Sequence, residues 1–169
     1  MKFAAFAAFA LLATGCGYHV SGHADMLPKN IRTIAVVTFA NATTRYRITE
    51  TLPAAITREF IARTRYNIVA DPNDADAILS GTVVNYNAFP TTLDPATGRA
   101  TAVQVYIHLQ IMLRDRAGNV IYSQPHFEAR ERYEISTDPK AYVDESDAAF
   151  DRVSQYVARM VVSGVLEKF

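Results

Sequence analysis

Disulfides are excluded at once, because the 169-residue chain holds a single cysteine, Cys16. An exported domain built on this sequence must rest on its apolar core instead. Tryptophan is absent, and lysine is scarce beside arginine, 4 against 13. Arginine's planar fork suits phosphate and carboxylate, and a genomic bias toward arginine codons explains the same count. The formal net charge is zero at pH 7, so there is no basic excess to draw a phosphate backbone, and no nucleic acid is expected as a partner. No apolar run reaches the roughly 20 residues that a membrane-spanning helix needs.

Signatures of chemistry are just as thin. The chain has no nucleophile elbow, phosphate loop, dinucleotide glycine run, HExxH or paired-cysteine metal site. His19 and His23 stand at a spacing a helix could use for metal, yet a glycine lies between them and no further ligand is near. Asp71, Asp74 and Asp76 lack the glycine and distal glutamate of an EF-hand loop and read as a capped turn. The expectation is a binding or assembly protein that is not an enzyme and needs neither metal nor cofactor.

What is present begins at the amino end. Met1 and Lys2 precede the apolar run FAAFAAFALLA and then Thr14-Gly15-Cys16-Gly17. One positive charge, a short apolar stretch and small residues make a secretory signal peptide over residues 1–15. A cysteine directly after the small residues reads as a bacterial lipobox, with cleavage before Cys16 and acylation of its thiol and new amino group. Several acyl chains anchor stably where one binds only marginally. Ala13 stands where that motif usually has leucine, with Leu12 one place earlier. The alternative is an ordinary signal peptide ahead of an incidental cysteine. Residues 16–30 carry Gly, Ser and Pro without a sustained period and read as a lipidated tether. Residues 31–169 then form one domain, long enough to bury a core.

Within it, residues 31–39 (IRTIAVVTF) read as one buried strand. A helix follows with Ile48, Leu52, Ala55, Ile56 and Phe60 on one stripe, Thr49 or Thr51 as its cap and Pro53 in its first turn. Residues 66–70 make a short strand and residues 77–89 a long one. Residues 90–100 read as a hairpin loop. From 101 to 114, Val103, Val105, Ile107, Leu109, Ile111 and Leu113 alternate with Gln104, Tyr106, His108, Gln110 and Met112, so one face of the sheet is dry. DRAGN at 115–119 is a tight turn into a last strand, where Pro125 marks an edge or a bulge. Asp138-Pro139 starts a final helix with Phe150, Val153, Val157, Met160 and Val161 toward the sheet. Acidic Asp144, Glu145 and Asp147 come early in it, and Arg159 and Lys168 late, as the helix dipole favours. The predicted fold class is α+β: two helices packed on one face of a four- to five-stranded mixed sheet, in the order β-α-β-β-β-β-α.

The segments Gly15 to Val20, Leu27-Pro28, residues 31–39 with Asn41, residues 76–83 (DAILSGTV) and residues 114–121 (RDRAGNVI) together resemble the LptE family of LPS-assembly lipoproteins. That resemblance spans the chain after the signal peptide and implies two helices on a four-stranded sheet. It implies a non-enzymatic lipoprotein that plugs the LPS-translocon β-barrel one-to-one, supports the barrel's assembly and binds LPS on its way to the outer leaflet. It also implies an anchor in the inner leaflet of the outer membrane, on the periplasmic side. In such lipoproteins Asp after the cysteine favours inner-membrane retention, and Gly17 leaves the outer membrane as the default. In alternating-turn topology, Arg63, Arg65, Arg99 and Lys140 gather at one end and Arg45, Arg47, Arg114 and Arg116 at the other. In the family the hairpin-loop end meets the lipid A phosphates, which points to Arg99 and Lys140. The stretch from Ile34 to Asn41 also resembles lipoproteins that activate periplasmic cell-wall synthases or build curli-type secretion rings.

Overall fold

Aliphatic residues at every second position from Val103 to Leu113 make a long strand with one buried side and a neighbour on each edge. The computed structural model describes residues 27–135 and 139–167, with the backbone alone for residues 139–147. The chain runs β1 (Thr33–Val36), β2 (Ala40–Asn41), α1 (Ile48–Arg63), β3 (Asn67–Val69), β4 (Ala77–Leu93), β5 (Ala100–Asp115), β6 (Val120–Glu134) and α2 (Pro139–Glu167). One mixed sheet carries the order β3-β1-β4-β5-β6, with β2 also on β4. β1 is parallel to β3 and β4, whereas β4–β5 and β5–β6 are antiparallel. This is the predicted α+β arrangement of two helices and a mixed sheet. The predicted signal peptide, Cys16, His19, His23, Asp138 and Lys168 lie outside the described residues, as do the side chains of Lys140, Asp144, Glu145 and Asp147.

The helices share a single core with one sheet face. On β5 the odd-numbered residues from Val103 to Leu113 are all buried. Ile48, Leu52, Ala55, Ile56 and Phe60 of α1 meet them, the stripe the sequence predicts, and α2 adds Val153, Val157 and Val161. Met160 departs from expectation at 46 % exposed. With 3.6 residues per turn, a stripe stepping by four precesses around the helix; at that level it has moved to Ala158, Val161, Val162 and Val165. Phe150 faces the sheet as predicted and stacks on Tyr86 of β4, with ring centroids 5.6 Å apart.

Three boundaries move. The predicted strand over 31–39 is split: β1 pairs Val36 with Leu79, and β2 resumes with Ala40 opposite Thr82. The extra residue on the inner strand turns Phe39 into the core, 2 % exposed, as a bulge re-aims a side chain. Gly81 makes that possible, because a Cβ there would stand 2.7 Å from Phe39 Cδ2 and 2.8 Å from the Gln110 carbonyl oxygen. The predicted hairpin loop shrinks to residues 94–99, since β4 and β5 stay paired out to Leu93 and Ala100; irregular register around Thr92 accommodates Pro90. Helix α1 starts earlier than predicted, with Arg47 at the N-cap and no side-chain cap. Thr49 and Thr51 lie inside its first turn and donate back to the carbonyls of Tyr46 (2.6 Å) and Arg47 (3.2 Å); Pro53 therefore falls in the second turn. Pro125 sits where the β5–β6 register shifts, on an edge strand.

Candidate functional site

The strand registers decide which basic residues can act together. Thr33 pairs with Asn67, Ile34 with Ala77 and Ala77 with Asp115, so the 64–66 connection, the 71–76 turn and the 115–119 turn share one end. Leu93 pairs with Ala100, and Ala102 with Glu134 just ahead of α2, which places the 94–99 hairpin and the start of α2 at the other end. The predicted grouping is therefore corrected. Arg63 and Arg65 lie with Arg114 and Arg116, and Arg99 lies at the opposite end with the backbone of Lys140. The cause is the parallel β3–β1–β4 trio: residues 70–76 return the chain to its starting end without a helix, which breaks the expected alternation.

Most guanidinium groups are already engaged. Arg63 donates to Ser163 Oγ (2.9 Å) of α2 and to Glu59 Oε1 (3.4 Å). Arg116 donates to the carbonyls of Ala75 (3.2 Å) and Asn73 (3.3 Å), tying the 115–119 turn to the 71–76 turn. Arg45 lies over the Tyr86 ring, 5.2 Å from its centroid. Arg152 of α2 meets Glu131 of β6 at 2.6 Å. Arg65 and Arg99 are exposed, and neither guanidinium has a partner among the described residues.

The 71–76 turn is structural. Asn73 donates to Asp71 Oδ1 at 2.8 Å, and Asp76 Oδ2 accepts from the backbone N–H groups of Arg32 and Thr33, each at 3.0 Å. Those two backbone donors, with the Thr33 hydroxyl and Arg116, hold the Asp76 carboxyl below the usual carboxylate range. In the hairpin, Ala96 N–H on Asp94 Oδ1 (2.7 Å) does the same for Asp94, and Gly98 takes the left-handed backbone (φ 66°) that closes the loop.

A third region went unnoticed in the sequence. On the face away from the helices, Phe89 of β4 and Tyr106 of β5 meet edge to face, centroids 6.2 Å apart. Arg130 of β6 lies over Tyr106, 5.6 Å from its centroid. Arg130 Nε also donates to Glu128 Oε1 (2.8 Å), and Glu128 Oε2 lies 3.1 Å from His108 Nε2. Arg130 first, then His108, lowers the Glu128 carboxyl from its ordinary value. A shallow concavity here is lined by Asn87, Phe89, Thr91, Gln104, Tyr106 and His108. The period-two pattern had placed Tyr106 and His108 on this face; what it could not supply was the register bringing Phe89, Glu128 and Arg130 beside them. Among the described residues, no group of three His, Cys, Asp or Glu side chains is placed to hold a metal. No described helix is long and apolar enough to cross a membrane.

The arrangement of two helices and a mixed sheet is a fold this chain shares with solved bacterial lipoproteins. Lipoprotein B from Nitrosomonas europaea superposes with a TM-score of 0.60 at 12% identity, over 89% of this chain and 90% of that one. Rare lipoprotein B from Shewanella oneidensis gives 0.50 at 14%, over 76% and 91%. A PelC dodecamer from Paraburkholderia phytofirmans gives 0.52 at 18%, over 83% and 93%. At such identities the likeness is one of fold. No curated relative matches at the sequence level. The family model described as LptE, lipopolysaccharide-assembly, matches residues 31–164. The chain belongs to the LptE family.

Proposed function

We propose that this protein is a non-enzymatic outer-membrane lipoprotein, anchored through Cys16 on the periplasmic side, that plugs the LPS-translocon β-barrel one-to-one, supports its assembly and binds LPS. The observation that carries the reading is the family match, which runs through every strand and both helices. The guanidinium of Arg99 on the hairpin, without a partner among the described residues, supports an LPS contact at that end, where the start of α2 adds Lys140. Arg63 and Arg65, at the far end, are not part of the same contact. The domain is a closed two-layer body whose open sheet face carries polar groups such as Gln104 and Gln110, suited to a polar lumen.

The test is affinity purification of the full-length lipidated chain from gently solubilised outer membranes. A large β-barrel recovered at one-to-one is the expected result, with LPS binding weakened by Arg99→Glu together with Lys140→Glu while the fold is retained. Recovery of a cell-wall synthase, or of a homo-oligomeric ring without a barrel, refutes the plug. Undiminished LPS binding by the double variant removes the hairpin end from the contact.

A further inference from the structure

We infer that the open face of the sheet, around Phe89, Tyr106 and Arg130, binds the saccharide portion of LPS. The inference rests on the proposed role in LPS handling and assigns one chemical part of that ligand to one surface. Surface side chains on a solvated sheet ordinarily move independently. Here five of them form one connected row across three strands, running from Phe89 through Tyr106, Arg130 and Glu128 to His108. They are fixed by one another while staying open to solvent: Phe89 is 54 % exposed, and the Arg130 side chain 67 %. Groups held in place before a ligand arrives lose little freedom when it binds.

The chemistry of the row matches a sugar. A pyranose ring offers an apolar C–H face to an aromatic ring and a rim of hydroxyls to planar polar groups. Phe89 and Tyr106 supply the first, and Asn87, Gln104 and Glu128 the second. Gln104 is itself held by donating to the Glu131 carbonyl across the strands at 2.9 Å. Charge narrows the ligand further. By register, Arg114, Arg130 and Arg132 share this face with Glu128 and Glu134, and no lysine stands on it. Glu128 is satisfied by Arg130 and His108, which leaves a small positive excess. That complements a polyhydroxyl chain bearing scattered phosphate or carboxylate groups, as LPS saccharide does. Acyl chains would need a continuous apolar groove, and Asn87, Gln104 and His108 interrupt the face.

The experiment is titration calorimetry on the full-length lipidated protein in detergent micelles, with two probes: intact LPS, and the saccharide freed from it by removal of lipid A. Both should bind the wild-type chain. Phe89→Ala and Arg130→Ala, both at exposed positions, should weaken saccharide binding about tenfold, the size of one lost stacking or charge-assisted contact. Arg159→Ala, on the exposed side of α2, should leave it unchanged, and thermal melts should show all three variants folded. If intact LPS binds and the free saccharide does not, the inference fails and the LPS-binding role stands. It also fails if the saccharide binds both face variants as it binds wild type, or if those variants lose the co-purifying barrel instead. If neither probe binds, the LPS-binding role and this inference fall together.

Discussion

Replacing Gly81 by alanine should strike the joint that holds the broken first strand to the sheet. The added methyl would meet the Phe39 ring edge and, at 2.8 Å, the carbonyl oxygen of Gln110. The ring has little room to retreat, because Phe39 is 2 % exposed, and the carbonyl belongs to β5 beside the paired residues Gly81 and Ile111. Overpacking of a tight core costs about 1–3 kcal/mol, and backbone in the way argues for about 3. Alanine recovers about 0.4–1 kcal/mol by narrowing the unfolded ensemble, so the net loss is about 2 kcal/mol. For a domain of this size that lowers Tm by about 4–8 °C. Calorimetric melts of wild type, Gly81→Ala, Phe39→Leu and the double variant measure it. A smaller side chain at 39 relieves part of the clash, so the double variant should lose less than the sum of the singles by at least about 0.5 kcal/mol. A Gly81→Ala melt at the wild-type temperature, or strict additivity, would falsify the claim that the methyl and the ring compete for one space.

Thr51 and Ser154 share a hydroxyl–hydroxyl contact at 3.1 Å between the helices, and Ser154 is 2 % exposed. Thr51→Val strands a buried hydroxyl and should cost about 1–3 kcal/mol in urea unfolding; adding Ser154→Ala should restore part of that loss, and further loss would contradict the pairing. The Asp76 carboxyl is depressed in the folded state by Arg32 and Thr33 N–H, so its stabilisation is full above the ordinary carboxylate value of about 4 and is lost as pH falls through the lower folded value. Asp76→Asn should therefore lower the urea midpoint at pH 7, with the gap to wild type closing once the pH has fallen through the depressed folded value; a gap independent of pH would overturn this. Reversing Arg65 to Glu should leave LPS binding intact, since it lies at the end away from Arg99; a loss equal to that of the hairpin variant would merge the two ends functionally.

Residue periodicity carried the fold a long way. The period-two run from Val103 to Leu113 and the stripe from Ile48 to Phe60 fixed which residues face the core, because each is a local pattern whose burial depends on strand pleat or helix pitch alone. Turns with side-chain closure, such as 115–119 with Asp115 accepting from Asn119, were readable for the same reason. The motif order from Gly15 to Ile121 carried the family. Tertiary structure decided the rest. Only the parallel pairing of β3, β1 and β4 separates Arg63 and Arg65 from Arg99, since local signals do not say to which end a short connection returns. Only the placement of Phe39 over Gly81 breaks the first strand, because the space a glycine leaves is invisible until its neighbour is known. The row from Phe89 to His108 joins residues of three strands, so it exists through cross-strand register and is absent from any single stretch of sequence.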